Sequence, residues 1–136
     1  MYKKMHIFRI RPEQDLLKGI GNFCEKNKIR SAVVLQIIGS LETAQLGFLK
    51  KLPGKYITKE YKGPLEIVCA QGTIATKGDE VIPHIHMMVS TEKGAIGGHL
   101  SLGCTVFSTA EVVIGELWTQ VEREKDNHTG LNELKE

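Results

Sequence analysis

The spacing of apolar positions changes once along the chain, and the change divides it into a short helical part and a long strand part. His6-Ile7-Phe8-Arg9-Ile10-Arg11 alternates after His6 and predicts a strand, ended by Pro12, which has no N–H to give to a ladder. From Glu13 to Asn27 the period becomes helical. Leu16, Leu17, Ile20, Phe23 and Cys24 fall on one face, Glu13 and Asp15 fall in the first turn, and Lys26 and Lys28 lie at the end, as the helix dipole favours. Gly19 and Gly21 weaken that helix and allow close packing. Everything after it reads as strands. Ala32–Ile38 is a β-branched run that ends at Gly39-Ser40, with Glu42–Leu49 as its antiparallel neighbour. Leu52-Pro53-Gly54 turns, Tyr56–Tyr61 alternates, and Gly63-Pro64 punctuates. Leu65–Thr76 is a long strand in which Gly72 marks a bulge or a close backbone approach. A turn at 77–80 leads to Val81–Ser90, where Pro83 indicates a sheet edge or an irregular entry. Glu92-Lys93-Gly94 turns the chain back into the extended Ala95–Leu102, and Thr105–Phe107 and Ala110–Leu117 complete the sheet. The tail from Gln120 reads as irregular, with Arg123 and Asp126 spaced for an exposed ion pair. One helix followed by strands at hairpin spacing predicts an α+β fold. Its sheet is mainly antiparallel, packed with one principal helix, in a single compact domain over residues 1–136.

Composition narrows the setting. A chain of 136 residues with 41% hydrophobic side chains supports one core and leaves little room for a second. No run approaches the ~18 apolar residues of a membrane span, and Met1–His6 contains no apolar signal segment. Cys24, Cys69 and Cys104 are odd in number and far apart, which suits small buried hydrophobes better than a disulfide framework or a CxxC pair. The expected location is therefore a reducing cytoplasm, away from any membrane.

The net charge of +2 conceals an uneven distribution. Residues 1–62 hold thirteen basic and five acidic side chains, and residues 63–136 hold five and eleven. Lys50, Lys51, Lys55, Lys59 and Lys62 cluster around one turn, interleaved with Tyr56 and Tyr61. Such a group could hold phosphates and stack bases, or simply guard a solvated sheet edge. A pI near 8.4 falls short of the ~9 typical of a dedicated nucleic-acid binder. No phosphate-cradling glycine motif is present.

The sharpest chemistry lies in the histidines. In a strand, His84 and His86 point to one face about 6–7 Å apart at Cα. The turn at Glu92–Gly94 returns the chain alongside, so His99, in Gly97-Gly98-His99-Leu100, could supply a third imidazole. Three neutral imidazoles with an open position form a zinc layout in which a bound water becomes a usable nucleophile near pH 7. The alternative is that the three rings stack in a polar interface between subunits. Glu111, a carboxylate within the apolar run Ala110–Ile114, is a candidate partner for a histidine or a general base, or it faces solvent or an arginine. His6 and His128 carry no functional assignment.

Taken together, several segments resemble the PPC domain, the domain of plants and prokaryotes, and in particular its free-standing prokaryotic members. They are Arg11-Pro12-Glu13-Gln14-Asp15-Leu16-Leu17, Ile37-Ile38-Gly39-Ser40-Leu41, Pro64-Leu65-Glu66-Ile67-Val68, His84-Ile85-His86, Gly97-Gly98-His99-Leu100, Thr109-Ala110-Glu111-Val112-Val113 and Arg123…Asp126…Thr129-Gly130-Leu131. The likeness runs through almost the whole chain, in order. It implies a trimer, association with DNA in a regulatory or assembly role, and a divalent metal such as zinc at His84, His86 and His99. The AT-hook core Arg-Gly-Arg-Pro that accompanies the domain in plants does not occur in this chain. A metal-dependent enzyme of hydrolase or lyase type acting on a small molecule is the other reading of the same histidines.

Overall fold

The computed structural model describes residues 1–136. Its elements in chain order are β1 (Tyr2–Ile10), α1 (Leu16–Lys26), β2 (Ala32–Lys51), β3 (Lys55–Lys77), β4 (Glu80–Thr91), β5 (Gly94–Leu100), β6 (Thr105–Leu117), β7 (Arg123–Lys125) and β8 (Asn132–Leu134). The first six strands form one antiparallel sheet in the order β1-β6-β2-β3-β4-β5, and β7 and β8 form a separate ribbon. β2 also pairs with β5 through Leu46↔Leu100 and Gly47↔His99, which curls the sheet onto itself. The fold is α+β and mainly antiparallel with one helix, as the periodicity predicts.

The helix begins later than its pattern suggests. Asp15 is the N-cap: its side chain accepts from the backbone N–H of Lys18 at 2.9 Å and from that of Gly103 at 2.6 Å. Glu13 and Asp15 thus precede the first turn, which holds no acidic residue. Leu16, Ile20 and Cys24 bury one face. That face joins a 24-residue core including Ile37, Leu46, Ile67, Met87, Val89, Leu100 and Ile114.

Two expected strand breaks are not breaks. β2 runs through Gly39-Ser40, because β6 crosses there at very short range: a Cβ on Gly39 would lie 1.9 Å from the Thr109 carbonyl oxygen. The Ser40 hydroxyl fills the adjoining irregularity, 2.6 Å from that of Ser108. β3 likewise runs through Gly63-Pro64. Leu41 pairs with Leu65 and Thr43 with Lys62, so two residues of β3 oppose the single Glu42. This is a β-bulge, where a proline without an N–H is tolerated. Thr105–Phe107 and Ala110–Leu117 are likewise one strand, β6. Pro83 lies in the half of β4 that β5 leaves unpaired, since β5 pairs only with His86–Thr91.

The tail is ordered rather than irregular. Arg123 is only 5% exposed and makes no ion pair with Asp126. Its guanidinium donates to Thr73 Oγ1 at 2.8 Å and to the Asn132 carbonyl at 3.0 Å. Asp126 accepts instead from the backbone N–H groups of His128 and Thr129, both at 2.8 Å.

The outer face of the sheet carries an apolar row. Arg9 pairs with Glu111 and Glu111 with Ile38. Gly39 pairs with Ile67, which sets Ile38 beside Val68, and the neighbouring Cys69 pairs with Met88. Ile38, Val68 and Met88 are 57%, 50% and 42% exposed.

Candidate metal centre

Strand parity places the histidines. Ile85, Met87 and Val89 of β4 point into the core, so His84 and His86 point outward. On β5, Leu100 is buried and His99 faces out, directly opposite His86 in the register. Gly72 of β3 pairs with Ile85 between the two β4 histidines, and a Cβ there would lie 2.1 Å from the His84 carbonyl oxygen. The expected close approach is therefore real, and it fixes the height of His84.

One nitrogen from each ring lies within 4.8 Å of the others. Ring centroids are 5.1 Å apart for His84–His99, 5.2 Å for His84–His86 and 5.6 Å for His86–His99. Tetrahedral coordination at ~2.1 Å sets nitrogens about 3.4 Å apart, within reach of small rotations of these rings. Burial, reinforced by His84 and His86, pushes the His99 pKa down to about 4. Burial also lowers that of His84, with Arg123 and His86 adding to the effect and Glu133 opposing it. Both rings are thus neutral at pH 7 and offer lone pairs without first losing a proton. The donor set, three converging imidazoles, fits a divalent cation of the zinc type.

A cavity of about 390 Å³ adjoins the cluster. His84, His99, Tyr56, Ser101, Arg123 and Glu133 are among its lining residues, and the bare Gly47 opposite His99 leaves it room. Only two buried side-chain nitrogens or oxygens in the chain lack a hydrogen-bond partner, His99 Nδ1 and Arg123 Nε, and both residues line this cavity. The His99 nitrogen is an orphan of the kind a cation would satisfy.

The other candidates fall elsewhere. Glu111 sits on β6, paired with Arg9 and Ile38. Its partner Ile38 lies nine residues along β2 from Gly47, the partner of His99, so at about 3.3 Å per residue Glu111 does not reach His99 of its own chain. The lysines decorate the β2–β3 hairpin: Lys51 pairs with Lys55 at the tip, Lys59 with Leu46 and Lys62 with Thr43. Alternation sends Lys59 and Lys62 to opposite faces. Tyr61 packs on the core, and Tyr56 turns toward His99 with ring centroids 5.6 Å apart. Arg123 is the residue that sequence reasoning misplaced. The signal for it is a lone arginine in a polar tail, which no periodicity distinguishes from a surface residue.

Three converging imidazoles beside an arginine-floored cavity, on the outer face of a curled antiparallel sheet, define a candidate divalent-metal-binding protein. The chain belongs to the Plants and Prokaryotes Conserved (PCC) domain family, whose model matches residues 2–118. It is similar to the metal-containing protein of Archaeoglobus fulgidus, 29% identical with a TM-score of 0.90, covering 100% of this chain and 96% of that one. It is similar also to a plant- and prokaryote-conserved (PPC) protein of Pyrococcus horikoshii, 27% identical with a TM-score of 0.89, covering 100% and 94%. A candidate DNA-binding protein of Bacteroides thetaiotaomicron shares the fold at 24% identity and a TM-score of 0.90, covering 99% and 96%. Among curated proteins it resembles the bifunctional GlmU proteins of two Synechococcus strains, 29% and 31% identical over 133 residues. The match takes in 96% of this chain but only a fifth of the length of those relatives. No helix of the chain is long and apolar enough to cross a membrane.

Proposed function

We propose that this chain is a homotrimeric, DNA-associated regulatory or assembly module of one domain, built around a zinc-type site at His84, His86 and His99 and working in the cytoplasm. The observation that carries the reading is the convergence of three outward imidazoles, one of them with a buried unpartnered nitrogen. The metal-containing relative from Archaeoglobus fulgidus, alike over the whole chain, supports it. The trimer draws support from the exposed row Ile38, Val68 and Met88, bordered by Arg9 and Glu111. An apolar centre with a charged rim is the anatomy of a subunit contact. DNA association draws on the exposed Lys50, Lys51, Lys55 and Lys59 of the hairpin, with Lys62 on its other face.

A second reading, a metal-dependent enzyme of hydrolase or lyase type acting on a small molecule, is favoured by the cavity beside His84 and His99. A zinc ion held there would supply Lewis acidity and a water acidic near pH 7. Glu111 of the same chain is too distant to serve as its base.

The test is metal content per chain on untagged protein purified without chelator or added metal. The expected result is near-stoichiometric divalent metal that disappears in His99→Ala while the far-ultraviolet circular dichroism stays unchanged. Metal-free protein that takes up none on titration refutes the site, and stoichiometric metal retained in His99→Ala removes that residue from it. For DNA, Lys50→Ala/Lys51→Ala is expected to lower the slope of log K against log salt by about 1–2. An unchanged slope removes the hairpin from the contact.

A further inference from the structure

The cavity beside the histidines is lined by an arginine whose guanidinium touches no carboxylate. Its lining contains two charged side chains, Arg123 and Glu133. Glu133 makes no ion pair with Arg123, since the ion pairs of the chain are Lys3–Glu116, His6–Glu116 and Lys135–Glu122. The Arg123 guanidinium is buried, donates only to the neutral oxygens of Thr73 and Asn132, and leaves Nε without a partner. Burying a cation without a counterion is costly, and the cost falls sharply when an anion completes its hydrogen bonds. A divalent cation on the three histidines would add its own positive charge to a cavity whose only carboxylate, Glu133, makes no contact with Arg123.

We infer that this cavity binds a small organic carboxylate, with an oxygen at one end toward the three histidines and its carboxylate toward Arg123. The inference rests on the reading of His84, His86 and His99 as a metal site, and it names the class of molecule that site takes. A volume of about 390 Å³ lies in the range of small-molecule sites. The planar fork of a guanidinium suits a carboxylate better than a lone ammonium would. Tyr56, Thr58 and Ser101 add hydroxyl groups to the wall, which can orient a ligand rich in oxygen.

The experiment is calorimetric titration of the zinc-loaded protein with malonate, with neutral malonamide as the isostere and inorganic phosphate in parallel. Malonate is expected to bind saturably and malonamide not to bind. Arg123→Gln is expected to weaken malonate at least about tenfold, and Glu133→Gln to tighten it several-fold. In cobalt-substituted protein, malonate is expected to change the visible absorption of the metal. Equal affinity of wild type and Arg123→Gln for malonate overturns the inference, as does malonamide binding as well as malonate. Phosphate binding that excludes malonate also overturns it, in favour of a phosphate site. Should Arg123→Gln fail to fold, Glu133→Gln decides by its sign, and an unchanged or weakened affinity overturns the inference. Metal content measured on the same samples separates the two readings. Metal-loaded protein that ignores malonate refutes the carboxylate site alone. Protein that takes up no metal refutes the metal reading, and malonate titration of that metal-free chain then decides, with no saturation overturning the inference.

Discussion

Gly72→Ala is the substitution that most directly tests how the sheet sets the height of His84. The new methyl would meet the His84 carbonyl oxygen at 2.1 Å, Ile85 Cα at 2.8 Å and Ile85 Cγ1 at 2.9 Å. Ordinary contacts lie near 3.5 Å or beyond, so the backbone of β4 must retreat by more than about 1 Å. Two of the three are backbone atoms, and the third belongs to the buried Ile85 side chain. Overpacking of this kind costs about 1–3 kcal/mol, and the upper part of that range applies here. Alanine's smaller unfolded-state entropy returns about 0.5–1 kcal/mol. The net expectation is a loss of about 2 kcal/mol, or roughly 1–2 M in the urea midpoint for a slope near 1–2 kcal/mol/M. Gly21→Ala is the control. It lies in the α1 interior with nothing within 4 Å of the added methyl, and is expected to gain about 0.5–1 kcal/mol. Both are measured by urea titration at matched protein concentration, because assembly shifts apparent stability. The clashing atom belongs to His84 itself, so zinc affinity is expected to fall at least about tenfold in Gly72→Ala and to stay unchanged in Gly21→Ala. A Gly72→Ala midpoint within about 0.3 M of wild type, with zinc affinity intact, refutes the account of Gly72 as the spacer that fixes His84.

Three further outcomes are expected. Glu116 accepts from Lys3 at 2.8 Å and sits 3.0 Å from His6 Nε2, and the Lys3 bond leads in holding its carboxyl below the ordinary 4.5. Its stabilisation is therefore complete above about pH 4.5 and lost as pH falls through the lowered folded value. The stability gap between wild type and Glu116→Gln should shrink on acidification below pH 4.5 in denaturant titrations, and a pH-independent gap refutes the assignment. Burial pushes the Cys24 thiol up to about 12 and the Cys104 thiol up to about 11, so a disulfide reagent at pH 8 should find at most the half-buried Cys69 in native protein and all three thiols in urea. Prompt native reaction of two thiols contradicts the packing. Met88→Lys at the β4 end of the apolar row should dissociate the proposed trimer in sedimentation velocity without unfolding the chain, and an unchanged sedimentation coefficient would show that the row is not the contact.

The parts legible in the sequence are those set by local period and by turns. The apolar face of α1 follows from 3.6-residue spacing, and the histidine cluster follows from a hairpin rule. With the turn centred on Glu92-Lys93, antiparallel pairing of Thr91 with Gly94 forces His86 opposite His99, and i, i+2 parity brings His84 to the same face. The parts that were misread are those where a glycine or proline answers to a partner far along the chain. Gly39 is required by the Thr109 carbonyl, seventy residues on, and Gly63-Pro64 is a bulge against β2. Locally both look like strand ends. Arg123 is harder still, because its meaning lies in Thr73 and in the cavity behind it, and no spacing within the tail points to either.

The placement of the apolar row gives these pieces a common logic. His86 and Met88 lie two residues apart on the same outward face of β4, and Gly97, opposite Met88, lies two residues from His99 on β5. A second subunit seated on Ile38, Val68 and Met88 therefore comes to rest beside the exposed His86. In the proposed trimer, assembly and metal binding are then neighbours on one sheet face. Removing the metal should loosen the assembly, and breaking the assembly should weaken the metal, by the same coupling free energy in both directions.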